Sequence, residues 1–78
     1  MEEFVEQPIK VYVMVNENNE ITAINSEIFI RDLTDWVYVD EGFGDKYAHA
    51  QSNYFGEELS DDDGNYKFVL DNGKIVRK

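Results

Sequence analysis

The chain of 78 residues contains no cysteine, one proline, one histidine and only seven basic side chains. Without cysteine, disulfides and thiolate zinc sites are excluded. No stretch approaches the roughly 18–20 apolar residues that a membrane-spanning helix needs, and the acidic N-terminus, MEEFVEQP, lacks the pattern of a signal peptide. This length predicts one small domain over residues 1–78, with residues 1–8 as a flexible N-terminal lead.

Acidic side chains dominate the composition, with 17 acids giving a net charge of −10. Residues 66–78 carry four bases and one acid, a net of +3, and residues 1–65 therefore carry −13. Such a charge opposes approach to phosphate backbones and to anionic lipid surfaces. We therefore predict no nucleic-acid partner and no membrane partner, whereas a basic protein partner remains open.

Two β-hairpins are predicted from the pattern. Residues 9–15 alternate with period two, NENNE (residues 16–20) is a polar turn, and residues 21–24 restart an apolar run, which together predict the first hairpin. Asn72-Gly73 is a strong signal for a type I′ turn joining strands 66–70 and 74–77. In that register Leu70 faces Ile75 and Val69 faces Val76, so apolar residues pair with each other.

The segment between the hairpins is less regular. Asn25 or Ser26 could cap a short turn whose Ile28, Phe29 and Ile30 we expect to enter the core. Residues 36–40 (WVYVD) predict a third strand that carries Trp36. From Asp45, as N-cap, one or two helical turns are predicted, ending at Gly56. The predicted fold class is α+β, mostly antiparallel β: two β-hairpins, a Trp-bearing strand and a short helical or ordered central segment.

Catalytic and metal-binding constellations are absent from the sequence. His49 lies three residues before Ser52, but nothing resembles a nucleophile elbow or an oxyanion loop. The run DDDGN (residues 61–65) fails the EF-hand register, because Leu59 and Leu70 would fall at ligand positions. We interpret it as a solvated turn and leave weak cation binding by residues 57–63 open. We predict no enzyme activity, no cofactor and no dedicated metal site.

One set of residues is a candidate interaction surface. Tryptophan and tyrosine dominate the energetics of protein interfaces, and a segment dense in Gly, Asp, Asn and Tyr, DEGFGDKYAHAQSNYF (residues 40–55), has the composition of an ordered irregular shape. The candidate residues are Trp36, Tyr38, Tyr47, His49, Gln51, Asn53 and Tyr54.

The order of segments carries a family resemblance. The progression VNENNEITAINSEIF, DLTDWVYVDEG, GDKYAHAQSNYF and DGNYKFVLDNGKIVRK covers roughly residues 10–78. It resembles small tail- or baseplate-associated proteins encoded in the late structural operons of phages and prophages of Gram-positive bacteria. The resemblance implies no activity for any residue, and this chain stops at Lys78 where longer members of that family continue.

The resemblance predicts a phage or prophage-derived tail or baseplate component that acts through protein–protein contacts. Its implied partners are other tail or baseplate proteins, and a homo-oligomer stays open. Its implied location is the bacterial cytoplasm during assembly, and the virion tail if it is incorporated. Two alternatives remain: an acidic inhibitor or DNA mimic that binds a host nucleic-acid-binding enzyme, and a small carbohydrate-binding module that uses Trp36 and the tyrosines.

Overall fold

A computed structural model of the chain describes residues 7–78. Its elements are, in chain order, β1 (Ile9–Val15), β2 (Ile21–Ser26), a 3₁₀ helix (Glu27–Phe29), β3 (Val37–Gly42), α1 (Asp45–Ala48), α2 (Ala50–Asn53), β4 (Phe68–Asp71) and β5 (Lys74–Arg77). The strands form two antiparallel sheets, ordered β2-β1-β3 and β4-β5. The predicted α+β, mostly antiparallel β class is confirmed. The first six positions of the predicted N-terminal lead lie outside the described residues.

The first hairpin follows the prediction, because Asn16 and Asn19 supply the geometry of its turn. The Asn16 side-chain oxygen accepts hydrogen bonds from the backbone N–H groups of Asn18, at 2.9 Å, and Glu20, at 3.0 Å. Asn19 adopts a left-handed conformation with φ 62°, which asparagine tolerates better than most residues. β2 continues two residues beyond the predicted Ile24 and ends at Ser26.

β3 completes the larger sheet and contains a β-bulge. The strand begins one residue after Trp36 and continues to Gly42. Val11 pairs with Asp40 and Tyr12 pairs with Tyr38, so Val39 is an extra residue in β3. A bulge of this kind changes the direction of the side chains beside it. Directly paired residues share a face, and Asp40 therefore lies on the same sheet face as buried Val11.

The core forms between that face of the sheet, the helical segments and the second hairpin. Its buried apolar residues are Val11, Val13, Ile21, Ile24, Ala50 and Phe68. Burial of the valine, isoleucine and phenylalanine side chains among them contributes about 1.5–3 kcal/mol each. Tyr47, Tyr54 and Phe55 pack around them.

The expectation that Ile28, Phe29 and Ile30 enter the core is wrong. Ile28 is 62% exposed and Phe29 is 56% exposed, and Ile30 is only half-buried. Ala50 and the rings packed around it already occupy the space against the sheet. The short 3₁₀ helix therefore carries its bulky side chains outward.

The second hairpin has the predicted register, with Leu70 opposite Ile75 and Val69 opposite Val76. Asn72 and Gly73 have φ values of 53° and 79°, as a type I′ turn requires. β4 begins at Phe68, two residues later than predicted. The residues of the preceding acidic turn are held by Asp61, whose carboxylate accepts hydrogen bonds from the backbone N–H groups of Asp63 and Asn65, both at 2.9 Å.

Candidate interaction surface

Two helical turns, α1 and α2, meet at His49, whose backbone (φ −128°, ψ 55°) interrupts the helix. The predicted N-cap, Asp45, is instead the first helical residue, because Gly44, with φ 95°, makes the entry turn. Neither helical segment has a side-chain cap. Helices this short are unstable alone, so tertiary contacts must hold them in place.

Ser26 provides the central contact. It is fully buried, and its hydroxyl donates a hydrogen bond to the backbone carbonyl of Tyr47. The same oxygen accepts a hydrogen bond from the N–H of Ala50 at 2.9 Å. The end of β2 is thereby joined to both helical turns, and two backbone groups at the helix break are satisfied. Buried groups of this kind rarely lack partners in native proteins.

A second polar network surrounds Asp40. One carboxylate oxygen accepts hydrogen bonds from the hydroxyls of Tyr54, at 2.8 Å, and Tyr47, at 3.3 Å. The other accepts the N–H of Glu41 at 2.8 Å. The ammonium of Lys46 lies 4.8 Å from the Tyr54 ring centroid, a favourable cation–π distance.

This network shifts the pKa values of its members. Partial burial acts to raise the pKa of Asp40, but the hydrogen bonds from Tyr54, Glu41 and Tyr47 hold that pKa below its ordinary value. Partial burial and the hydrogen bond to Asp40 raise the pKa of Tyr54 well above its ordinary value. Both tyrosines thus stay protonated donors and Asp40 stays an ionised acceptor at neutral pH.

Gly42 makes room for this arrangement. A Cβ atom at Gly42 would lie 2.5 Å from Cε2 of Tyr47, closer than any tolerated contact. The Tyr47 ring therefore packs directly on the backbone of β3. The Tyr54 ring meets Phe55 edge-on with centroids 5.2 Å apart, and Phe55 stacks on Phe68 at 4.1 Å, so a row of rings links the helical turns to the second hairpin.

The predicted candidate residues are distributed between two sides of the molecule. Tyr47 and Tyr54 are half-buried with their hydroxyls engaged by Asp40. The remaining helical candidates, His49, Gln51 and Asn53, are exposed. The His49 ring stacks on Phe29 with centroids 5.9 Å apart, and His49, Phe29 and Gln51 line a small cavity of about 230 Å³.

Tyr38 lies on the opposite face of the larger sheet, where its ring meets Tyr12 edge-on at 5.9 Å. It is 46% exposed, and its hydroxyl donates a hydrogen bond to Glu41 at 2.8 Å. Hydrogen bonding to Glu41 raises the pKa of Tyr38. Trp36, half-buried, directly precedes the same strand.

Exposed apolar side chains are concentrated along β3. Within residues 7–78, the large hydrophobic residues that stay exposed are Ile28, Phe29, Leu33, Val37, Tyr38, Phe43 and Val76. Four of these seven fall between residues 33 and 43, in β3 or beside its ends. Val37 and Tyr38 lie on opposite faces of β3, so these exposed apolar side chains border both faces of the strand and do not form a single patch.

A larger open cavity, of about 670 Å³, lies between α2 and the acidic connector, which comprises residues 57–65. Its lining includes Thr22, Ser52, Glu57, Glu58 and Tyr66. Glu57 is already paired with Lys67, at 3.1 Å, and with Arg77. Among residues 7–78 no group of three or more His, Cys, Asp or Glu side chains is arranged to hold a metal ion.

The residues that sequence reasoning missed are Ser26, Asp40 as an acceptor, and Gly42. Ser26 did carry a signal, because it continues the period-two pattern of buried Ile24 and so places a polar group on the core face. The bulge that turns Asp40 inward leaves no pattern in the sequence.

Comparison of the chain with protein-family models, with curated proteins and with solved structures gave no match. In the part of the chain that the structure describes, no helix has the length and apolar character needed to cross a membrane.

Proposed function

We propose that this protein is a phage or prophage-derived tail or baseplate-associated component that acts through protein–protein contacts and has no catalytic role. The main support is the concentration of exposed apolar side chains at residues 33–43, which are available for a partner. The order of sequence segments, which resembles that of small tail-associated proteins, supplies the structural context.

The fixed geometry around the candidate tyrosines also supports a binding role. Ser26, Asp40 and the two half-buried tyrosines hold a fixed shape through hydrogen bonds that satisfy one another. A pre-organised surface loses less entropy on association than a mobile one. The exposed His49, by contrast, stacks on Phe29, an arrangement that suits a contact residue.

The test is mass spectrometry of particles purified after prophage induction in a bacterium that encodes this chain. We expect the protein to co-purify with tail components or to appear in assembly intermediates in the cytoplasm. A matched strain with the gene deleted should produce fewer complete tails. Absence from both fractions, together with normal particles from the deletion strain, would overturn the proposal.

A second candidate, an acidic inhibitor or DNA mimic, is favoured by the exposed carboxylates of Glu58, Asp62 and Asp63 on the acidic connector. Such a protein would be captured with a host nuclease or restriction enzyme, and DNA would compete for the same complex. Affinity capture from host lysate with and without competing DNA separates this function from a role in the tail.

A further inference from the structure

Among residues 7–78, nothing pairs with the outer edge of β3, which is an open sheet edge. β3 is the last strand in the order β2-β1-β3 and pairs on one side only, with β1. Within residues 7–78, no backbone–backbone hydrogen bond outside the regular elements involves residues 37–42, and one backbone group of this segment, the Glu41 N–H, is bound to the Asp40 side chain. An open edge presents N–H and C=O groups that can pair with another extended chain.

The side chains around this edge are apolar and acidic. Leu33, Val37, Tyr38 and Phe43 are each at least 38% exposed. The stretch from residue 32 to residue 45 contains four aspartates and one glutamate, and neither lysine nor arginine. Among these acids, Asp40 is turned inward to Tyr47 and Tyr54, whereas Asp35 and Glu41 are exposed.

The negative charge of the β3 edge determines which kind of strand can pair with it. Pairing β3 with β3 of a second copy would bring two acidic stretches together, and like charges across strands are destabilising. Of the bases nearby, Lys10 already lies opposite Glu41, and Lys46 lies over the Tyr54 ring beside Asp40. A partner strand with basic side chains would instead find complementary charge.

We infer that the β3 edge binds an extended, basic segment of a partner protein, which adds to the sheet as a fourth strand beside Val37–Gly42. Backbone hydrogen bonds would supply affinity in this mode, and alternate side chains would supply specificity. Lysine or arginine would lie beside Glu41 on the face that carries Tyr38, with Asp35 just before the strand, and apolar residues would lie on the other face, beside Val37. This inference rests on the proposed function, because it specifies the chemistry of the protein partner that the proposed function requires.

The test uses a synthetic nine-residue peptide, blocked at both ends, that alternates valine with lysine, and a matched peptide with glutamate in place of lysine. Binding is followed by the fluorescence of Trp36, the single tryptophan, which directly precedes β3. Amide hydrogen exchange of residues 37–42 locates the site. We expect the lysine peptide to slow exchange at these amides and to bind at least about tenfold more tightly than the glutamate peptide.

Two double variants, each of which removes two negative charges, distinguish a specific site at β3 from general electrostatic attraction to the acidic protein. Asp35→Asn with Glu41→Gln removes two charges beside β3 and keeps an oxygen acceptor for the Tyr38 hydroxyl. Glu58→Gln with Asp62→Asn removes two exposed charges from the acidic connector. We expect the first pair to weaken binding of the lysine peptide about fivefold and the second to change it less than about twofold.

The inference fails if the lysine peptide leaves exchange at residues 37–42 unchanged, or if the two variants weaken binding equally. The particle experiment is independent of both results. Co-purification with tails and no peptide binding would overturn the edge site alone, whereas peptide binding by a protein absent from tails and their intermediates would overturn the proposed function alone.

Discussion

Replacing Ser26 with alanine tests whether one buried hydroxyl holds the helical turns on the sheet. Ser26→Ala removes the acceptor of the Ala50 N–H and the donor to the Tyr47 carbonyl. The Ala50 residue is 1% exposed, so water cannot replace its lost partner without local opening. The Tyr47 residue is half-buried, so its carbonyl can recover part of its hydration.

The expected cost follows from these exposures. A buried polar group left without a partner costs about 1–3 kcal/mol, and one such group plus a partly hydrated one gives roughly 2–4 kcal/mol in total. A domain of this size has a free energy of unfolding of roughly 4–12 kcal/mol. A loss of that size lowers the melting temperature by roughly 8–32 °C, because each kcal/mol corresponds to about 4–8 °C in small domains.

The assay is urea unfolding followed by Trp36 fluorescence and circular dichroism. The matched control is Ser52→Ala, since Ser52 is an exposed serine in α2, and we expect it to stay within about 0.5 kcal/mol of the parent protein. Exchange of the Ala50 amide should also accelerate in Ser26→Ala alone. If the two alanine variants had the same free energy of unfolding, Ser26 would not hold the helical turns.

Three further predictions concern the network around Asp40. Gly42→Ala should lower the free energy of unfolding by about 1–3 kcal/mol, because the new Cβ meets the Tyr47 ring. Urea unfolding should show no such loss when the same substitution is made in a Tyr47→Ala background. An equal loss there would refute the steric argument. Because the pKa of Asp40 is lowered in the folded state, its carboxylate contributes fully to stability above the pKa of the unfolded state, near 4, and this contribution is lost as pH falls through the lower folded-state pKa. Asp40→Asn should therefore make the loss of stability in acid shallower. An unchanged acid unfolding profile would contradict this. Because the pKa of Tyr54 is raised in the folded state, its hydrogen bond stabilises the fold below about pH 10, and this stabilisation is lost as pH rises towards the higher folded-state pKa. Tyr54→Phe should remove the last step of an ultraviolet absorbance titration of the tyrosines. If that step persisted, it would belong to another residue.

The two hairpins could be predicted from the sequence because local rules determine them. Alternation in residues 9–15 defines β1, and the positive φ values of Asn72 and Gly73 fix the register of β4 and β5. In both cases the information lies within a few neighbouring residues. The prediction failed at Ile28 and Phe29, whose bulk suggested burial, because burial depends on the space that other elements leave.

The network at Asp40 could not be predicted, because it depends on contacts between residues that are distant in sequence. Tyr54 is 14 residues from Asp40 and Ser26 is 24 residues from Ala50. The bulge at Val39 that turns Asp40 inward depends on the pairing of β3 with β1. Composition predicted an ordered irregular shape for residues 40–55, whereas the structure places most of them in β3, α1 and α2, and composition did not show which side chains point inward.

The bulge at Val39 affects both the buried network at Asp40 and the open edge of β3. By adding Val39 to β3, it turns Asp40 towards Tyr47 and Tyr54 and leaves Tyr38 and Glu41 on the outer face. Bulges are one of the devices by which natural sheets limit aggregation at an open edge. The bulge therefore stabilises the core contact, whereas in the binding mode that we propose the acidic side chains of the edge favour a partner of complementary charge. In that mode the edge repels its own copies, so the exposed apolar residues are kept for a different chain.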